Sequence, residues 1–168
     1  MKLIAKTSIT FDHILNVSAV ISAALIGFAM LSVTTDVISR YIFNHSIVGV
    51  FELTEYTLLY MTFLGAAWVL KDDAHVKMDI VLQRLNPRVN ALLNFLTSIV
   101  GGLISLGIIY YGIQVTWDFL QKGSYELTML EPPSALIVGV IPIGGLLLFI
   151  QFIRRIYGYL QIWRTTRY

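Results

Sequence analysis

Residues 14–35 read ILNVSAVISAALIGFAMLSVTT, an apolar run whose only polar members are Asn16 and small hydroxyl residues. A helix rising about 1.5 Å per residue crosses about 30 Å of hydrocarbon in roughly 20 residues, so this run is long enough to span a bilayer. Lipid offers no partner to backbone N–H and C=O groups, which makes a helix the required form. Three more runs of this kind follow, at about Ile47–Leu70, Val89–Trp117 and Ser134–Ile153. The sequence predicts an all-α integral membrane protein, with residues 1–168 forming a single domain of four transmembrane helices.

The charges give that pattern a direction. Ten of the twelve Lys and Arg residues fall on one side of it. Lys2 and Lys6 precede the first run, and Lys71, Lys77, Arg84 and Arg88 lie between the second and third. Arg154, Arg155, Arg164 and Arg167 follow the fourth, leaving only Arg40 and Lys122 on the other side. Basic residues stay on the cytoplasmic side of a membrane, so both termini and the middle loop are expected there. The first run is longer than the core of a secretory signal and lacks a small-residue cleavage site, so it reads as an uncleaved span.

Composition agrees with this reading. The hydrophobic share is 57% and the charged share 13%, against about a quarter charged in soluble domains. Four spans leave no room for a soluble catalytic domain. The net charge of +2 is no nucleic-acid signal, because the basic residues line one membrane face, where they meet anionic phospholipid. With no cysteine, disulfides and thiolate chemistry are excluded.

In the middle loop, Ile80, Val81, Leu82 and Leu85 alternate with Gln83 and Arg84, a pattern suited to a short interfacial helix. Asn86-Pro87 is a helix start, and Pro132-Pro133 precedes the fourth span. Two spans carry small or polar stripes at helical spacing. One is Ser18, Ser22, Leu25, Ala29, Ser32, Asp36 and Arg40; the other is Asn94, Ser98, Gly101, Ser105, Ile108, Gly112 and Thr116. Such faces suit close helix packing and interhelical hydrogen bonds, within the chain or against another membrane protein.

The centre of every span lacks Asp, Glu, Lys, Arg and His, with Glu55 nearer the start of its own span. Carriers hold substrate and coupling ions with ionisable groups or broken helices near the midplane, so the chain does not read as a self-sufficient carrier. Pro142 is the one potential break, and it brings no polar group with it. Haem ligation is not expected, since His13, His45 and His75 lie at span ends. His75 with Asp72, Asp73 and Asp79 is a loop cluster of the ordinary solvated kind rather than a metal site. No nucleophile–base pair or phosphate loop is present, so neither enzymatic activity nor a cofactor is expected.

At the outer end, Asp36 and Arg40 are one turn apart, and Glu52 and Glu55 open the second span. These four groups could converge at one corner. They read either as helix-end charges, with an Asp36–Arg40 pair, or as a surplus of acid that meets a basic partner. If the pair forms, Arg40→Ala is expected to destabilise more than Asp36→Ala, because it strands acid without a counter-charge.

The ordered set Arg40-Tyr41-Ile42-Phe43-Asn44, Phe51-Glu52-Leu53, Gly65-Ala66-Ala67, His75-Val76-Lys77-Met78-Asp79 and Ile141-Pro142-Ile143-Gly144 covers nearly the whole chain. It resembles the small membrane subunit of tripartite ATP-independent periplasmic (TRAP) transporters. Phe51 stands where that family often has Trp. The resemblance implies a bacterial inner-membrane protein that joins a large permease subunit and widens its scaffold. A periplasmic binding protein would capture an organic acid, and the large subunit would move it with a sodium gradient. C4-dicarboxylates and sialic acids are among the family's substrates, and overall similarity leans towards the sialic-acid branch. Two other classes compete: a homo-oligomeric four-helix carrier or exporter using Glu55, and a non-transport scaffold for a membrane enzyme.

The charge bias fixes a first expected outcome. Reporter fusions after Lys6, within residues 72–79 and after Arg167 read cytoplasmic, and fusions near His45 or Lys122 read periplasmic. A periplasmic signal from the middle loop contradicts the four-span topology.

Overall fold

A computed structural model describes residues 2–72, 87–123 and 132–165. Four helices follow in order: α1 Lys2–Phe43, α2 Val50–Lys71, α3 Pro87–Lys122 and α4 Ser134–Thr165. No β-strand occurs among the described residues. All four helices contain a stretch long and apolar enough to cross a membrane: Thr10–Phe43, Val50–Lys71, Leu92–Lys122 and Ser134–Leu160. At about 1.5 Å per residue, the 42 residues of α1 exceed the hydrocarbon thickness, so the helix runs on past the apolar core.

Helix boundaries follow local backbone chemistry. After Phe43, Asn44 adopts a left-handed conformation with φ 52°, a helix-ending geometry that Asn tolerates better than most residues. Helix α2 begins inside the apolar run, at Val50, because Gly49 turns the chain with φ 84°. The Gly49 carbonyl then accepts from the Leu53 N–H at 2.9 Å, the first bond of α2. Proline at the start of α3, and Pro132-Pro133 ahead of α4, match the expected helix starts. The proposed interfacial helix near Ile80–Leu85, and His75, Asp73 and Asp79 of the loop cluster, lie outside the described residues.

The four helices form a row, in the spatial order α1, α2, α4, α3. Helix α4 is therefore an inner member, and α3 takes a flank. Lipid tails are as apolar as the side chains, so burial from water does not drive these contacts; close fit does. Glycines supply the fit. A Cβ on Gly144 of α4 would stand 2.5 Å from the Phe63 carbonyl oxygen of α2. On the neighbouring residue, a Cβ on Gly145 would stand 3.2 Å from Ile108 and Ile109 of α3. Gly112 of α3 faces Pro142, with the added Cβ 3.1 Å from Cδ of the ring. Helix α4 continues through Pro142, whose ring fills the space that Gly112 leaves. Gly101 lies under the ring of Phe152. Between α1 and α2, Gly65 meets Ser22.

The small-residue stripes line these seams. Ser18, Ser22, Ala29 and Asp36 of α1 are buried, as are Ser98, Ser105 and Gly112 of α3. Their hydroxyls do not reach across to neighbouring helices as expected. Ser22 Oγ donates to the Ser18 carbonyl at 2.9 Å, Ser98 Oγ to Asn94 at 2.6 Å, and Ser105 Oγ to Gly101 at 2.8 Å. Ser18 Oγ donates to Leu15 at 2.8 Å. In hydrocarbon, the nearest acceptor for a hydroxyl is the carbonyl one turn back, so these residues pack as small, satisfied groups. A direct interhelical bond comes from Tyr60, whose hydroxyl donates to the Leu136 carbonyl of α4 at 2.7 Å.

The seam geometry ranks two substitutions. Gly144→Ala drives a Cβ into α2 backbone, which cannot yield without parting the helices, and costs about 1–3 kcal/mol as overpacking. Gly101→Ala meets a ring that can turn aside, and costs less. Unfolding midpoints of both variants in detergent check the order; equal midpoints for Gly144→Ala and wild type contradict it.

Candidate functional site

Polar side chains gather at the two ends of the row. At the end formed by the α1–α2 connection, Asp36 is the hub. Its Oδ1 accepts from the Ile47 N–H at 2.8 Å and from Ser46 Oγ at 3.0 Å, and its Oδ2 pairs with Arg40. Asp36 thus fastens the chain leaving α1 to the turn that enters α2. Nearby, Ser39 Oγ donates to the His45 carbonyl at 2.9 Å and secures the same turn. The Asp36 side chain is 8% exposed and that of Arg40 57%, so the carboxylate carries the structural role and the cation covers it from outside.

Asp36, Arg40 and Glu55 line one open cavity of about 440 Å³, together with Phe51 and Thr54. Three of the four corner residues thus converge there. Glu52 lies in the first turn of α2, where a carboxylate favours the helix N-terminus. Glu55 is exposed in the second turn of α2, towards its loop end. Tyr41, Ile42, Phe43 and Phe51 are also exposed around this corner.

The opposite end, where both termini lie, holds a denser network that the sequence reading did not single out. Arg154 of α4 makes a two-pronged contact with Asp12 of α1, Nη1 to Oδ1 at 2.7 Å and Nη2 to Oδ2 at 3.3 Å. Its guanidinium also lies 5.2 Å from the Phe11 ring centroid. Lys71, at the end of α2, donates to Asn16 Oδ1 at 3.1 Å and stands 3.9 Å from Asp12. Arg155 turns the other way, donating to Asn94 of α3 at 3.3 Å and lying over Tyr159. Successive residues on a helix diverge by about 100°, so the Arg154-Arg155 pair reaches both flanks from the inner helix. Counting basic residues for orientation hid this. The usable signal was Asp12, a lone acid just ahead of the first apolar run and matched in depth to the Arg pair just after the last.

Between these ends, the spans hold apolar, small and hydroxyl side chains, several of whose hydroxyls bond to their own helix. Among the described residues, such an interior is suited to packing helices.

Residues 29–161 match the family described as tripartite ATP-independent periplasmic transporters, DctQ component. The chain belongs to this family. It is also similar to a provisionally named TRAP transporter small permease protein of Haemophilus influenzae, 26% identical over 102 residues, or 61% of each chain. The ectoine TRAP transporter small permease protein TeaB of Halomonas elongata is 24% identical over 146 residues, 86% of this chain and 75% of its own. The chain thus aligns with about three-fifths of the first relative's length and three-quarters of the second's. The DctQ match begins at Ala29 and ends at Gln161, so it takes in the Asp36 corner and the Arg154-Arg155 pair, while Asp12 precedes it.

In this DctQ-family chain the geometry reverses the stability order expected at the corner. Asp36→Ala removes the acceptor of a backbone N–H, a hydroxyl and a guanidinium together, whereas Arg40→Ala removes one exposed partner. Asp36→Ala gives the larger fall in melting temperature, and Arg40→Ala a small one. Thermal unfolding of both variants in detergent decides; a larger fall for Arg40→Ala contradicts the hub assignment.

Proposed function

We propose that this chain is the small permease subunit of a sodium-driven, binding-protein-dependent importer of an organic acid, acting as a fixed brace on the large membrane subunit. In this reading it resides in the bacterial inner membrane with both termini in the cytoplasm, and it has no catalytic role. The supporting observation is the division of its polar groups. Ion pairs and hydrogen-bonded carboxylates stand at the two ends of the row, and the interior is apolar and closely fitted. A subunit built this way resists deformation, and its midplane offers nothing to a substrate anion or a sodium ion.

The row itself supports a bracing role. A closed bundle hides its packing faces, whereas α1, α2, α4 and α3 side by side leave broad apolar surfaces. Those surfaces suit lipid on one side and a larger membrane protein on the other. Substrate choice belongs to the binding protein and the large subunit in this scheme, so the ectoine in one relative's name does not carry over to this chain. Organic acids, sialic acids included, remain the proposed substrate class on the family resemblance.

Reconstitution with each component omitted in turn tests the proposal. Sodium-driven uptake of the organic acid requires this chain, the large permease and the binding protein together. Gly101→Leu, Ser105→Leu and Gly112→Leu reduce uptake by loosening the α3–α4 seam, without changing which acid is taken. Uptake by this chain alone, or undiminished uptake in its absence, contradicts the proposal.

A further inference from the structure

The network at the terminal end surrounds a cavity. Between α1, α2 and α4 lies an open pocket of about 450 Å³, lined by Asp12, Lys71, Gln151, Arg154, Arg155 and Tyr159 among others. Its walls carry three cationic side chains and one carboxylate, so its field favours an anion. Lys71 has capacity for one. An ammonium carries three donors; Asn16 takes one at 3.1 Å, and Asp12 at 3.9 Å is beyond hydrogen-bond length.

Depth narrows the class of anion. Asp12 comes just before the first apolar run, Lys71 follows Leu70, and Arg154 follows Ile153. All three therefore sit at the boundary between hydrocarbon and headgroups, the level of phospholipid phosphates. Asn16, the partner of Lys71, also lines a second cavity, which is largely apolar and measures about 770 Å³. That groove runs between α1 and α2 past Ala23, Ile26, Met61 and Trp68. A basic pocket thus lies one hydrogen bond from an apolar groove, at headgroup depth.

We propose that this pocket binds the phosphate headgroup of an anionic phospholipid, with Lys71 as its main contact. Arg154 is held in place by Asp12 and shapes the pocket. A phospholipid carries its phosphate at this depth and its acyl chains alongside, so one molecule matches both the basic pocket and the adjoining groove. The inference rests on the membrane-spanning fold and not on the proposed transport role.

The test titrates the purified full-length chain with phosphatidylglycerol and, separately, phosphatidylcholine, and reads bound lipid by native mass spectrometry. Wild type prefers phosphatidylglycerol. Lys71→Gln lowers that preference about fivefold, the effect of one basic residue beside an anionic membrane surface, and Lys71→Arg retains it. Inorganic phosphate at the same concentration does not displace the lipid. Equal occupancy by the two lipids in wild type overturns the proposal, and this comparison decides even if Lys71→Gln fails to fold. An undiminished preference in folded Lys71→Gln also overturns it. Displacement by inorganic phosphate makes the ligand a free anion and overturns the lipid assignment. If Lys71→Gln keeps its lipid preference but loses copurification with the large membrane subunit, the pocket belongs to a protein carboxylate.

Discussion

The approach of Gly144 in α4 to the Phe63 carbonyl of α2 sets the spacing on which the rest of the row depends. Between helices in lipid, the attraction available is mostly dispersion, which falls away within a fraction of an ångström. Two adjacent glycines let α4 come close on both sides, Gly144 to α2 and Gly145 to α3. With α4 seated, Pro142 meets Gly112 and Phe152 covers Gly101 along the same seam. The row is thus built outward from α4, and α1 joins through the Ser22–Gly65 contact with α2.

Fixing spacing does not fix the ends, and here charge takes over. The expense of an unpaired charge rises with depth in the bilayer, so ionic contacts belong near the interfaces. At one interface, Arg154 and Arg155 tie α4 to α1 and α3, while Lys71 ties α2 to α1. At the other, Asp36 ties the end of α1 to the turn before α2. The two polar layers restrain the helices against sliding and splaying, and the described residues at the centres of the spans include no Asp, Glu, Lys, Arg or His. This division follows from the membrane alone, and the proposed bracing role rests on it.

Much of this was legible in the sequence. The four spans followed from apolar run length, and the TRAP family resemblance agrees with the DctQ match. Serines and glycines at helical spacing marked the buried faces of α1 and α3. The row order was not legible, because four antiparallel spans fit a ring or a row equally well by length and pattern. The helix-bonded hydroxyls were missed because sequence spacing does not say whether a Ser turns to its own carbonyl or to a neighbour. Asp12 and Arg154 lie too far apart in the chain for their pairing to be read by eye, and only their shared depth hinted at it. At the corner before α2, Asp36 and Arg40 could be matched by spacing. The Ile47 N–H, which makes Asp36 the hub, depends on the fold of the turn.

The central claim is that the row behaves as one fixed body while its proposed partner works. The chain contains no cysteine, so single labels can be placed without background. Met30 on α1 and Leu103 on α3 are both exposed and stand on opposite flanks of the row. Spin labels at Cys residues substituted at these two positions, read by pulsed electron resonance in the assembled transporter, report the distance across the row. The account predicts one distance distribution that is the same with and without sodium and the transported acid. A second population that appears when sodium and the acid are added would contradict it.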